Sequence, residues 1–196
     1  VPASSESSAV TKKLRVYVPA TVPMLRELVA DREIRALNDT AFAVTPALRE
    51  AYASGDDEEL AEVAMAEAAR ASLRLLADEQ AADENAVDSD SDDDSEAPVR
   101  RPIFRRTVIA ADVDGATLRP DLDDAVVRLS APIAYDRIAS VHVDLAEAEP
   151  EVAKAVDVID AADLGESDAE FVLGDAEDHQ LAWYAAQELP FLLDLL

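Results

Sequence analysis

"RRTVIAADV" (residues 105–113), "AVVRLSAPI" (125–133) and "ASVHVDL" (139–145) stand in succession in the second half of the chain. The unbroken apolar run Val108 to Ala111 reads as a strand buried on both faces. In the third stretch Val141, Val143 and Leu145 alternate with His142 and Asp144, so one face points inward and the other outward. Three strands in a row argue against a doubly wound sheet, where strands alternate with helices. They favour an α+β arrangement: a single mixed sheet of about five to six strands with helices mainly on one face.

The flanking segments supply the rest. "LRVYVP" (14–19) alternates Leu14, Val16 and Val18 against Arg15 and Tyr17, a half-buried strand. Thr21 and Pro23 mark a helix entrance, continued by Leu25, Leu28 and Val29. "AFAVTP" (41–46) is a second short strand, after which Thr45 is placed to cap a helix with Pro46 at its first position. "SGDDEELAEVAMAEAARASLRLL" (54–76) is the clearest helix. Asp56 and Glu59 form a capping box, and Leu60, Ala64, Ala68, Ala71 and Leu75 form its apolar stripe. "AEPEVAKAVDVIDAADLG" (148–165) is an amphipathic helix that Pro150 opens and Gly165 ends. "LAWYAAQELP" (181–190) is read as a strand on its Leu181, Trp183, Ala185 alternation, with a short helix from Pro190.

Residues 1–12 read as a disordered polar tail without a secretory pattern. Residues 13–196 form one domain, a size that 196 residues at 49% hydrophobic content can support. Ten acids fall between Asp78 and Glu96, with no lysine or arginine between Arg74 and Arg100. Such a run repels itself and buries little, so 78–99 is expected to be a disordered acidic loop insertion.

Composition removes several functions. There is no cysteine, hence no disulfide and no thiolate chemistry. A net charge of −26 disfavours nucleic acid and anionic membrane surfaces as partners, since both are polyanions. It fits solubility, an acidic face for a basic protein partner, or a halophile's surface. The four glycines, Gly55, Gly115, Gly165 and Gly174, are too scattered for a phosphate loop, and no GxSxG elbow exists.

The remaining constellations are small. "DVDG" places Asp112 and Asp114 at a strand end, but a Glu is missing where a calcium loop needs its twelfth ligand: position 123 is Asp. A solvated turn is expected there, with no metal and no other cofactor. Arg15 and Tyr17 share a strand face and, with Arg49, make a candidate anion or partner surface. His142 and Asp144 share another face and make a candidate polar pair. No catalytic residue is assigned, and His179 reads as a loop residue.

The stretches "RVYVPATVPMLRELV" (15–29), "AFAVTPALREAYASGDDEELAEVAMAEAARASLRLL" (41–76), "VHVD" (141–144) and "DHQLAWYAAQELPFLL" (178–193) together resemble a small uncharacterised actinobacterial family, a domain of unknown function. The resemblance spans roughly 14–77 and 103–196, and its most specific pieces are "VTPALREAYASGD" (44–56), continued by "ELAE" (59–62), and the C-terminal Trp183, Tyr184, Glu188, Pro190, Leu192 and Leu193. It implies a cytoplasmic protein of about this size, with a shorter connection where 78–99 stands here. It supplies no catalytic or ligand residues. The expected function is a non-enzymatic cytoplasmic interaction or regulatory protein with an acidic surface. Two alternatives stand beside it: a small enzyme or ligand-binding domain without a recognisable motif, and an acidic nucleic-acid mimic.

Overall fold

The computed structural model describes residues 13–89 and 102–196. Its strands are β1 (Leu14–Ala20), β2 (Glu33–Ile34), β3 (Thr40–Phe42), β4 (Thr107–Val113), β5 (Thr117–Leu118), β6 (Val126–Arg128), β7 (Ile133–Ala134), β8 (Ile138–Val143) and β9 (Ala182–Ala185). Its helices are α1 (Val22–Asp31), α2 (Pro46–Ala51), α3 (Asp57–Ser89), α4 (Glu149–Asp163), α5 (Ser167–Glu177) and α6 (Leu189–Asp194). The α+β class is the one read from the sequence.

The sheet is larger than expected: seven strands in the order β5-β6-β3-β1-β4-β8-β9, with β2 and β7 forming a separate two-stranded sheet. Every pairing is antiparallel, where a mixed sheet was expected. "AVVRLSAPI" accounts for part of the difference in number. It is two strands, β6 and β7, in different sheets, with Leu129 to Pro132 between them. Pro132 has no N–H to give to a ladder.

Helices cover both faces, not mainly one. Val16, Val18, Ile109 and Val141 pack under Leu25 and Leu28 of α1 and Leu189 and Leu192 of α6. Tyr17, Phe42, Val108 and Ala110 pack under Leu48 of α2 and Leu60, Ala64 and Ala68 of α3. The two central strands, β1 and β4, are therefore buried on both sides. The half-buried reading of β1 missed this because Arg15 and Tyr17 look polar, whereas the Tyr17 ring lies beneath α3.

Local signals at the helix starts act as expected. Thr45 Oγ1 accepts from Leu48 N at 3.1 Å. Asp56 Oδ1 accepts from Glu59 N, and Glu59 Oε2 accepts from Asp56 N, both at 3.0 Å, the full capping box. The apolar stripe of α3 then turns. Leu60, Ala64 and Ala68 face the sheet, while Leu73 and Leu76 face α4 and α5 in a separate cluster with Val152, Val156, Ile159 and Leu173.

This third core corrects the expected insertion. α3 does not stop near residue 77 but continues to Ser89, so 78–89 is helix where a disordered loop was expected. Gln80 reaches Asp157 of α4 and Glu84 one turn on, at 3.4 and 3.2 Å, and Asn85 donates to the Ala81 carbonyl at 2.8 Å. The remainder of the expected loop, 90–99, and the expected tail, 1–12, lie outside the described residues. α5 was not anticipated: "SDAEFVLGDAE" buries only Ala169, Leu173 and Ala176, a narrow stripe with a single large residue.

Candidate binding cleft

Ser72 sets up one end of the molecule. Its hydroxyl is fully buried, donates to the Ala20 carbonyl at 2.7 Å and accepts from Thr107 N at 3.0 Å. It thereby ties α3 to the last residue of β1 and the first of β4. One residue past β1, Thr21 is also fully buried and donates to Glu79 Oε1 instead of capping α1. The Glu79 turn of α3 is so held against the start of α1.

A cleft of about 1000 Å³ opens at this end. α1 contributes Pro23, Arg26 and Glu27; α3 contributes Glu79, Ala82 and Asp83. Pro102, Ile103 and Arg105 line it on the approach to β4, Glu149 at the start of α4, and Leu195 and Leu196 just beyond α6. A second cavity of about 400 Å³, with Met24, Leu37 and Leu75, shares Glu79 and Ala82 with it.

Among the described residues four carboxylates and two guanidiniums line the cleft. Arg105 is committed to Glu149, Nε to Oε1 at 2.6 Å. That leaves Arg26 among Glu27, Glu79 and Asp83. Glu79 is the strained member of this set. Burial raises its pKa above the ordinary glutamate range, and the charges of Asp83 and Glu27 raise it further, against the opposing hydrogen bond from Thr21. The sign is that of a raised carboxyl. Keeping Glu79 ionised at neutral pH costs stability, and the cost disappears as pH falls through its folded pKa. A cation in the cleft removes the same cost without protonation.

The residues singled out in the sequence lie elsewhere. Arg15 is held by Asp112, Nε to Oδ1 at 2.7 Å and Nη2 to Oδ2 at 3.0 Å. These bonds raise the Arg15 pKa and lower that of Asp112. Tyr17 is nearly buried, and burial raises its pKa. Arg49 pairs with Asp57 at 2.9 Å. Both arginines of the candidate anion surface thus already face carboxylates. Asp114 lies 3.7 Å from Arg137, so the two aspartates of "DVDG" serve different arginines. Among the described residues no group of three or more potential ligands converges on a metal position.

His142 and Asp144 are not partners in the structure. His142 Nε2 lies 3.1 Å from Ser140 Oγ, and burial lowers its pKa below the usual histidine range. Ser140 is itself buried, which hides its hydroxyl from a substrate. Asp144 accepts from Arg106 Nε, Nη2 and backbone N, each at 2.8 Å. Arg106 and Asp144 are 3% and 0% exposed at the side chain, a buried ion pair that also reaches the His179 carbonyl at 2.7 Å.

Fold and cleft together define an α+β protein with a carboxylate-lined groove at one end of its sheet. The chain belongs to a family of unknown function, DUF6912, whose model matches residues 14–193. No curated protein matches the chain. No solved structure matches it either. Among the described residues no helix is long and apolar enough to cross a membrane.

Proposed function

We propose that this protein is a non-enzymatic interaction module that receives a cationic segment of a partner protein in the cleft between α1, α3 and the approach to β4. The observation that carries this reading is Glu79: a half-buried carboxylate whose neighbours Glu27 and Asp83 add negative charge. A guanidinium or ammonium of the partner lowers the cost of that charge, and Pro23, Ala82 and Ile103 accommodate its aliphatic stem. The net charge of −26 steers such a partner toward the protein from a distance. A cytoplasmic, actinobacterial setting belongs to the same reading and comes from the family resemblance.

The test is fluorescence anisotropy with a labelled oligoarginine peptide. The Glu27→Gln, Glu79→Gln, Asp83→Asn triple variant is expected to bind at least about tenfold more weakly than wild type. A control removing the same charge at Glu166, Asp168 and Asp175, all exposed, is expected to change affinity less than about twofold. Acidification is expected to weaken binding from a higher pH than ordinary glutamates would set, because Glu79 takes up its proton early, and Glu79→Gln removes that part of the pH dependence. Equal losses in the triple variant and the control would mean that the peptide reads overall charge, not the cleft.

A further inference from the structure

Phe191 on the outer side of α6 and Leu195, the residue that caps its end, stand about one turn apart and are 74% and 84% exposed, while Leu189 and Leu192 hold that helix to the core. Leu195 also lines the cleft, together with Glu27, Glu79 and Asp83. An apolar ridge therefore runs into a carboxylate-lined groove.

We infer that the occupant is an amphipathic basic helix of the partner, with apolar side chains at i and i+4 seated on Phe191 and Leu195 and its arginines or lysines turned to Glu27, Glu79 and Asp83. This rests on the cleft being a receptor for cationic segments and adds the conformation of what binds there. Charge complementarity selects the occupant. A second copy of this chain brings the same −26 charge to the contact, so like charges oppose it. An anionic membrane surface is repelled for the same reason. An extended basic peptide satisfies the carboxylates but leaves the ridge in water. A helix with one apolar and one basic face covers both at once.

The test compares two peptides of one leucine and lysine composition, each about four helical turns long (~15 residues). In one the leucines fall at helical spacing; in the other the order is scrambled. The ordered peptide is expected to bind wild type at least about tenfold more tightly and to turn helical by circular dichroism on binding. Phe191→Asp with Leu195→Asp is expected to remove that preference. Both sites are exposed, and an unchanged thermal melt verifies the fold; the milder alanine pair gives the same comparison should the aspartates disturb α6. Equal binding of the two peptides, lost in the cleft triple variant, would overturn the helical occupant while leaving the cation cleft standing. Binding of neither peptide would overturn both. A wild-type dimer in sedimentation that the Phe191 and Leu195 variants dissolve would assign the ridge to a second copy and overturn the inference.

Discussion

Asp144→Ala is expected to destabilise the protein by about 3–5 kcal/mol, because it leaves the Arg106 guanidinium buried without its counter-charge. Three hydrogen bonds to Asp144 disappear at once. The pair joins the start of β4 to the end of β8, and Arg106 Nη2 bonds the His179 carbonyl beyond α5, so all three segments lose an anchor. The melting temperature should fall by roughly 6–20 °C for a chain of this size. A paired replacement, Arg106→Met with Asp144→Leu, is expected to recover most of that loss, since an apolar pair needs no counter-charge. Urea unfolding of the three variants measures it. A cost below about 1 kcal/mol for Asp144→Ala, the range of an exposed pair, would contradict the burial described for Arg106 and Asp144.

Leu73→Ala is the second large effect. Leu73 is fully buried where α3 leaves the sheet and packs on α4 and α5. Truncation in such a site costs about 3–5 kcal/mol, the lost transfer energy plus the cavity left behind. The loss should be uneven. Amide exchange is expected to accelerate in α4, in α5 and in α3 from Leu76 to Asn85, and much less in β1 and β4, which belong to the other cores. Since the loosened part of α3 carries Glu79 and Asp83, oligoarginine binding is expected to weaken as well. Uniform acceleration across the sheet would show that the three clusters unfold as one.

Much of the fold was legible in local chemistry. Thr45 and Pro46, the Asp56 and Glu59 box, and the unbroken apolar run of β4 each act as their residue types dictate, whereas the alternation read for β8 reverses past Val143, where Asp144 is buried against Arg106 and Leu145 is exposed. What escaped was decided by partners distant in sequence. Tyr17 looks like an exposed strand residue until α3 lies over it. Pro132 splits an apparent strand because two sheets compete for its ends. α5 has a weak pattern, since alanine fills positions where larger residues would announce a face.

The cleft escaped for one instructive reason. The charge of the acid run after Asp78, taken alone, argues for disorder. Yet no glycine or proline occurs between Gly55 and Pro98, and Ala81, Ala82 and Ala86 are strong helix formers. Continuity without a breaker was the signal that α3 would carry Glu79 and Asp83 past its sheet contacts. Arg106 was equally invisible. Among Arg100, Arg101, Arg105 and Arg106, nothing local distinguishes the one that is buried against Asp144.

The cleft as a receptor for cationic segments is tested most directly by backbone amide NMR during an oligoarginine titration. Shift changes are expected to concentrate at Glu27, Glu79, Ala82, Asp83 and Ile103 and to saturate with one peptide per chain. Changes spread evenly over the exposed carboxylates, or gathered on the face that carries His142 and Trp183, would contradict it.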